Sequence, residues 1–522
     1  MKCYSIIKIG IGLCIGILGL FCSCENKDNV QPEVIPEKEV SLIALYGEDG
    51  EYTEPLFVND SIIHIVLPSN TNISKVRIKT NKNKAYLIVD STQVISGDGI
   101  ADLSDFCNPP TLVINEEKGT RERMVVIYDL PVLVINTPLG VEIDSKEVRT
   151  EGCTVQLFDT DGQRNDLGIA GIRGRGHSSW GQPKKPYNVK FDKKQSPLGM
   201  NKSKHWVLLA NAYYDRTQLH NATAFEMARL VGFDWVPDGR FVELILNGTH
   251  KGLYYLCEKI RAEKDKINIK SVNDVAGDIT TGGFLLESYV VLESNALTAS
   301  YPENYFDTSV LNKTGDERYP CVLGWEVKEP DINLNEGQIT MVKSQLAQLE
   351  ELISNGVEDG KYRELFDINS AINWWLVEEA SQNEEASRTK NAYMYVEGWG
   401  GQFKMGPPWD FDAWTFGLWG NHTFYSKDYA LYFNQLFKDP FFVRKVKEKW
   451  GNILPIWKDC IPKFIDEQYA SIFRSAKRNE KMWPQWHQVN KYPETSYEQL
   501  VAEMKNSFEE QLSFMDEQIM QW

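Results

Sequence analysis

One short hairpin in the middle of the sequence constrains the fold more than any other local feature. Two largely apolar runs, residues 241–246 and 252–257, flank the dipeptide Asn247-Gly248. Asn-Gly is the preferred pair for a two-residue turn between antiparallel strands, because both residues tolerate positive φ. The sequence therefore predicts a pair of adjacent antiparallel strands here, and the surrounding domain must contain the sheet to which they belong.

Residues 172–191 carry the densest group of side chains that suit anion binding. The segment reads IRGRGHSSWGQPKKPYNVKF, a glycine-rich loop that leads into a strand at 187–191. Apolar and polar residues alternate in that strand, so Lys190 faces away from its apolar side. Loop N–H groups and a strand lysine can together bind an anion, although a glycine-rich connection beside a solvated basic strand gives the same pattern. The candidate anion-binding residues are Arg173, Gly174, Arg175, Gly176, Lys185 and Lys190.

Two aspartates give a second chemical signal. Asp410 and Asp412 lie two residues apart in the segment GPPWDFD at 406–412, and paired carboxylates suit a hard cation such as Mg²⁺ that also binds phosphate. A predicted helix at 368–380, the loop Asn383-Glu384-Glu385 and a short predicted hairpin at 392–405 come before them. By analogy, this is the order in which protein kinases arrange the catalytic loop and the metal site.

The chain divides into regions of different character. Residues 1–24 have a basic start and an apolar run that ends at Cys24, the predicted lipidation residue of a lipoprotein signal peptide. A polar linker follows at 25–39, and short strand patterns at 40–130 predict a small β-sandwich. From 131 to 522 the pattern is mixed, with a mainly helical tail, so the predicted class is α+β.

Overall charge limits the partners that the chain can take. The formal net charge is −17, which disfavours nucleic acid and anionic membranes as general partners because the overall field repels both. A lipid anchor at Cys24 would be the one contact with a membrane. A basic loop inside an acidic protein instead suits a small anionic ligand.

Taken together, these motifs resemble the spore-coat protein H (CotH) kinase family, and the region before them resembles the Ig-like modules of Bacteroidetes surface lipoproteins. The resemblance covers the chain from about residue 131 onward and implies an atypical protein-kinase-like domain. It also implies phosphorylation of surface or coat proteins with ATP and Mg²⁺ (or Mn²⁺) by an extracytoplasmic enzyme anchored to a bacterial membrane, with the outer membrane or cell surface expected. The matching segments are 172–180, 184–191, 206–211 with Asp215 and 217–221, 242–260, 283–287 and 409–412.

The resemblance also implies roles for individual residues. Asp410 would bind the metal with help from Asp412, and Lys190, or alternatively Lys185, would contact the phosphates. Arg173 and Arg175 would hold the loop or the triphosphate, or form structural salt bridges. The glutamate that pairs with the lysine would be Glu226 or Glu258.

The sequence departs from the family pattern where catalysis is most sensitive. His177 replaces a usual asparagine, and Glu385 stands where the family has an aspartate in Asn383-Glu384-Glu385. The extra methylene moves the carboxylate by about 1 Å, and a shift of that size can cost about a hundredfold in rate. Two main hypotheses follow: a kinase with Glu385 as base, or a catalytically inactive kinase-like lipoprotein that serves as a binding or structural module. Carbohydrate binding or hydrolysis, with Glu378 and Glu379, is a third interpretation.

Overall fold

The computed structural model describes most of the chain beyond its N-terminal segment. The described residues are 42–46, 52–53, 57–58, 61–68, 71–211, 215–270, 282–308, 310–311, 313–315, 320–331, 334–417, 422–484 and 495–522. The predicted signal peptide, Cys24 and the linker 25–39 therefore lie outside the described residues. Of the helices that the structure describes, none has the length and apolarity needed to span a membrane.

The N-terminal part folds as two β-sheets around one apolar core. One sheet has the strand order β2-β1-β5-β8 and the other β3-β4-β10-β9-β6-β7, and both contribute to the core. Strand β5 shows why: Val76 and Ile78 are buried while Arg77 and Lys79 are exposed, the alternation that a half-buried strand requires. The strands are β1 Ile43–Tyr46, β2 Tyr52–Thr53, β3 Phe57–Val58, β4 Ile62–Val66, β5 Val76–Thr80, β6 Ala85–Ile88, β7 Val94–Ile95, β8 Asp98–Ala101, β9 Thr111–Glu116 and β10 Gly119–Tyr128.

A closed β-barrel follows, and it contains the predicted hairpin. Asn247 and Gly248 have φ of 49° and 72°, as the two-residue turn requires. The strand order is β11-β12-β13-β14-β15-β17-β16, and parallel pairing of β11 with β16 closes the barrel. Helix α1 (His220–Val231) connects β15 to β16. The strands are β11 Val132–Asn136, β12 Thr150–Phe158, β13 Arg164–Gly174, β14 Tyr187–Gln195, β15 Ser203–Leu209, β16 Gly239–Leu246 and β17 Thr249–Glu258.

The C-terminal part combines a second sheet with helices that share one large apolar core. In that sheet the order is β19-β21-β18-β22-β23, and β20 also pairs with β21. The strands are β18 Phe284–Leu292, β19 Tyr305–Asp307, β20 Lys313–Thr314, β21 Cys321–Glu329, β22 Tyr393–Val396 and β23 Lys404–Met405. The helices are α2 Glu336–Ser354, α3 Ile368–Ala380, α4 Phe433–Leu436, α5 Pro440–Met482 and α6 Tyr497–Gln521.

These elements confirm the α+β class, since helix and sheet both make up large parts of the described chain. Helix α3 has the predicted bounds because Asp367 caps it and nearly every later position is buried. Helix α1 begins at His220 because the preceding residues form a turn held by Asp215. Strands β15 and β21 are long elements that the sequence patterns did not predict.

A buried polar cluster, here called the junction cluster, connects the N-terminal sheets to the barrel and to α5. It consists of Tyr128, Glu243, His250, Ser475 and Arg478. One carboxylate oxygen of Glu243, Oε1, accepts hydrogen bonds from Arg478 and from Ser475 at 2.6 Å, and Oε2 lies 2.7 Å from His250 Nε2. The guanidinium carbon of Arg478 lies 4.6 Å from the centre of the Tyr128 ring. The three parts of the chain are therefore joined by paired charges rather than by apolar contacts alone.

Candidate active site

Helix α1 holds the segment that carries the two aspartates. The backbone N–H of Phe411 donates to Asn221 Oδ1 at 2.9 Å. The Trp409 ring stacks on Phe225 at 6.0 Å, and Phe411 meets the same ring edge-on at 6.4 Å. Asp410 lies between these anchors with φ of 70°, a conformation that costs energy in a non-glycine residue and so depends on its neighbours. The segment is thus fixed before any ligand binds.

The start of α1 is itself held by a buried aspartate. Asp215 accepts from the His220 N–H at 3.0 Å and from the Thr217 hydroxyl at 2.8 Å, so it satisfies donors at the helix start. His220 Nδ1 also shares a hydrogen bond of 2.9 Å with Thr415 Oγ1, beyond the two aspartates. The helix start and the aspartate segment therefore form one rigid unit.

The charges of two further carboxylates, Glu385 and Glu287, act on the pair Asp410 and Asp412, and we call these four residues the acidic recess. Asp410 and Asp412 are half-buried, so water reaches them although protein surrounds them. Burial raises the pKa of both, and the charge of Asp410 raises the pKa of Asp412 further, although Arg175 opposes the rise. Glu385 and Glu287 add to the negative charge around Asp410. Partly exposed, mutually repelling carboxylates are a natural site for a cation.

The loop after α3 brings Glu385 to the recess. Asn383 shapes this loop: its Oδ1 accepts from the Glu385 N–H at 3.0 Å, and its Nδ2 donates to Glu378 Oε2 at 2.7 Å. Glu385 then forms an ion pair with Lys390, 2.6 Å from Nζ to Oε1. The Asn391 amide lies 3.4 Å from the other carboxylate oxygen of Glu385. Both polar ends of Asn383 are used within the fold, which gives it a positioning role.

The neighbouring glutamates are structural. Burial raises the pKa of Glu378 to about 8, and the side chain contacts Asn383. Glu379 accepts three backbone N–H bonds and one hydroxyl bond from residues 425–427. Glu379 is fully occupied in holding one loop and Glu378 helps to hold another, so the geometry does not support glycoside hydrolysis at this pair.

The glycine-rich loop delivers Arg175 to the recess. Its guanidinium carbon lies 5.4 Å from the Trp409 ring centre, and its charge lowers the pKa of Asp410. The glycines serve the loop itself: a Cβ on Gly174 would meet the Trp180 ring at 2.4 Å, and Gly176 has φ of 82°. Lys185 also stays within the loop, where its Nζ donates to the Trp180 carbonyl at 2.7 Å.

Lys190 and Arg173 lie instead on the outer face of the barrel. Lys190 is exposed and pairs across β14 and β15 with His205, and Arg173 donates to the Glu147 carbonyl at 3.2 Å. Together with neighbouring cations they form what we call the basic patch. Burial and the charges of patch residues lower the pKa of Lys259 to about 8 and that of His205 to about 3. The members of the basic patch are Arg149, Arg173, Lys190, Lys259 and Arg261.

Lys328 on β21 joins the basic patch to the acidic recess. Its Nζ lies 3.0 Å from Glu287 and 2.9 Å from Glu326. Its charge contributes to the lowered pKa of Lys259. Although burial opposes its charge, Glu287 and Glu326 raise the pKa of Lys328. A basic surface for phosphate and an acidic pocket for a cation therefore adjoin each other.

The two glutamates proposed to pair with Lys190 or Lys185 have other partners. Glu226 lies 3.0 Å from Arg229, three residues along α1. Glu258 is buried and lies 3.6 Å from Lys266. The fold therefore keeps both carboxylates apart from Lys185 and Lys190, since each is neutralised by a cation closer to it.

Sequence reasoning missed the residues that complete the site. Glu287 was part of the matched segment 283–287 but carried no assigned role, and Tyr393 donates to it at 2.5 Å. Lys390 could have been found from its position five residues after Glu385. Lys328 gave no local signal, because its importance comes from the sheet that places it beside Glu287.

The acidic recess offers few ligands for the Mg²⁺ that the resemblance implies. Among the described residues, no group of three or more His, Cys, Asp or Glu side chains is arranged to hold a metal ion. Mg²⁺ in phosphoryl-transfer sites is commonly held by one or two carboxylates, with phosphate and water as further ligands. Asp410 and Asp412, both half-buried beside the basic patch, match that smaller donor set.

Comparison with protein families identifies the family of this chain. A family model described as CotH kinase protein matches residues 172–515, which is well over half of the chain. The match begins in β13, and it includes the glycine-rich loop, the acidic recess and most of α6. No curated protein matches the chain.

Proposed function

Because this chain belongs to the CotH kinase protein family, we propose that it is a protein kinase that uses ATP with Mg²⁺ or Mn²⁺ to phosphorylate surface or coat proteins. The observation that carries the proposal is the continuity of the basic patch with the acidic recess through Lys328 and Glu287. One surface suits the phosphates of a nucleotide, and the other suits its metal ion. Few other reaction classes need a phosphate-binding surface and a metal site side by side.

The residues divide the work of phosphoryl transfer. Asp410 and Asp412 would hold the metal ion, which supplies neutralisation of the phosphate charge. Arg175 reaches the same recess and would contact the transferred phosphoryl group, and Lys190 in the basic patch would attract the nucleotide phosphates. Their contribution is electrostatic, and it depends on positions that the fold fixes in advance.

Glu385 is the proposed base. A substrate hydroxyl attacks phosphorus, the bond to the departing diphosphate breaks, and the hydroxyl proton passes to a carboxylate. The ion pair with Lys390 orients Glu385, while Asn383 fixes the loop from the other side.

Nucleotide binding and turnover test this proposal directly. We expect ATP to bind to the purified protein only with Mg²⁺ or Mn²⁺, and Asp410→Asn to weaken this binding strongly and to lower turnover about a hundredfold or more. The matched control is Asp161→Asn, on the exposed turn between β12 and β13, which should behave as the unaltered protein. Metal-independent binding, or equal binding by Asp410→Asn, would contradict the proposed site.

The second candidate is a kinase-like module without catalysis, and Glu385 is the observation that favours it. Its carboxylate sits one methylene further from the backbone than the family's aspartate and is already paired with Lys390. Calorimetry and turnover together separate the two functions. Binding without turnover, with turnover gained in Glu385→Asp, would identify a protein that has kept the site and lost the reaction.

We further propose that the chain is an extracytoplasmic lipoprotein held by Cys24, with an Ig-like module between anchor and kinase-like domain. The support is the basic start, apolar run and cysteine of residues 1–24. Membrane fractionation of Cys24→Ala against Cys22→Ala tests this. Only the first change should release the protein, and retention of both would count against the anchor.

A further inference from the structure

A polar cavity lies beside the candidate site and serves none of the functions described so far. Its volume is about 420 Å³, and it opens between the C-terminal end of α1, the first turns of α3 and the strands β22 and β23. None of the acidic-recess residues lines it. Its volume falls within the range of small-molecule sites, about 300–1,000 Å³.

Two buried polar groups of the lining are left without partners by the fold. Asn373 is 4% exposed, and its Nδ2 donates to the Gly232 carbonyl at 2.9 Å. Its Oδ1, and the indole Nε1 of Trp235, have no hydrogen-bond partner among the described residues. An unpaired buried donor or acceptor costs about 1–3 kcal/mol. Both atoms belong to residues that line the cavity, and the fold leaves both of them unpaired.

The charges of the lining balance each other. Asp234 accepts from Tyr395 at 2.8 Å and pairs with Lys404 at 2.7 Å. Asp367 caps α3 by accepting from the Ser370 N–H at 2.8 Å. Lys449 is a further cation of the lining. A charged ligand therefore gains little here, whereas a hydroxyl group can both donate and accept.

The apolar part of the lining is aromatic. Phe233, Trp235 and Tyr395 line the cavity, and flat rings of this kind pack well against the C–H faces of a sugar ring. Asn369 and Ser370 add an amide and a hydroxyl to the same wall. Rings together with amide, hydroxyl and carboxylate groups distinguish this lining from an apolar pocket.

We propose that this cavity binds a small, uncharged ligand rich in hydroxyl groups, namely a mono- or disaccharide. The inference does not rest on the proposed kinase function, since neither nucleotide nor metal takes part. The cavity shares Gly406 and Pro407 with the segment that leads to Asp410. A bound sugar would therefore touch the same segment that carries the aspartates.

Calorimetry on the full chain without nucleotide tests the proposal. The probes are glucose, galactose, N-acetylglucosamine and maltose, with glucuronate and glucosamine as charged comparisons. We expect at least one uncharged sugar to bind. Trp235→Phe, which keeps a ring but removes the donor, should weaken that binding about tenfold, the value of one hydrogen bond. The matched control Trp399→Phe changes a half-buried tryptophan outside the lining and should leave binding unchanged.

Three results would overturn the proposal. They are no binding of any uncharged sugar at millimolar concentration, binding of the charged probes alone, and equal binding by Trp235→Phe and Trp399→Phe. Asn373→Leu provides a second variant, expected to lose binding, and circular dichroism shows whether it folds. Loss of sugar binding with intact ATP binding would separate this cavity from the kinase site.

Discussion

The junction cluster and the acidic recess bury the same kind of side chain and treat it in opposite ways. Glu243 in the junction cluster accepts bonds from Ser475 and Arg478 and lies against His250. Burial alone would raise the pKa of Glu243, but Arg478 and His250 lower it. In the recess, burial and neighbouring carboxylates raise the pKa of Asp410 and Asp412 despite Arg175.

This difference separates stability from function within one molecule. A buried carboxylate with enough partners helps to join parts of the fold, whereas clustered carboxylates with too few cations cost stability until a ligand supplies positive charge. A protein keeps such a costly arrangement where it is used. The contrast therefore supports the recess as the working site and the junction cluster as a structural one.

The largest expected effect is a loss of stability when the junction cluster is disrupted. Arg478→Met leaves the buried Glu243 without its main cation, so the free energy of unfolding should fall by about 3–5 kcal/mol. Urea unfolding measures the change. The control is Lys477→Met on the exposed side of the same helix, where the loss should stay below about 1 kcal/mol. Equal losses in the two variants would show that the buried ion pair stabilises the fold no more than an exposed one.

The next prediction concerns the recess, where one substitution should lower turnover without lowering thermal stability. Asp410→Asn should lower turnover about a hundredfold or more, while thermal stability at pH 7 stays equal or rises because a repelling charge is removed. Differential scanning calorimetry and an ATP turnover assay measure both quantities. The stabilisation should shrink as pH falls, since protonation relieves the same repulsion in the unaltered protein. A marked loss of stability would show that Asp410, like Glu243, stabilises the fold.

The third prediction concerns pH and His64, whose Nδ1 lies 2.8 Å from the hydroxyl of Tyr128 in the junction cluster. Burial, together with His250 and Arg478, lowers the pKa of His64 from 6.5 to about 3. In this pH range the unfolded chain binds a proton at His64 and the folded chain does not. The free energy of unfolding therefore falls as pH drops from 6.5 toward 3. His64→Phe should remove roughly 2 kcal/mol of the loss between pH 6.5 and 4.5. In urea titrations at several pH values, His177→Phe in the exposed loop should follow the unaltered protein, and an unchanged slope in His64→Phe would contradict the assignment.

The smallest effect distinguishes two lysines near the recess. Lys328→Met leaves Glu287 and Glu326 unneutralised, so ATP affinity should fall about tenfold. Lys190→Met, at an exposed position of the basic patch, should weaken binding by about threefold or less, and mainly at low salt. Calorimetric Kd values at two salt concentrations measure this. A larger effect at Lys190 would indicate that this lysine makes the main contact with the phosphates, as the resemblance implies.

The sequence predicted features whose cause is local. The hairpin around Asn247-Gly248 and helix α3 follow from turn chemistry, capping and periodicity, all of which act within a few residues. The carboxylate pair at 410 and 412 was also visible as a local pattern. The ion-pair partner of Glu226 is also local, because Arg229 lies three residues later on helix α1.

Other features of the site could not be predicted because they depend on residues far away in the chain. The sequence named Arg175 as a candidate but not its contact with Trp409, and Lys328, which contacts Glu287 on the neighbouring strand of the second sheet, gave no local signal. Lys190 carries a matching motif, but the barrel turns it to an outer face where the charge is exposed. The glycines chosen for anion binding turned out to accommodate Trp180 and a turn.

The sequence alone determined the α+β class, the main local elements, and the motifs that identify the family. Only the tertiary structure decided which charges meet. Arg478 and Glu243 are 235 residues apart in the chain and share a buried hydrogen bond, whereas Asp410 and Asp412 are neighbours that lack enough cations. The reason is physical: periodicity and turn chemistry act along the chain, whereas the pKa of a carboxylate depends on the charges and the solvent that packing places around it.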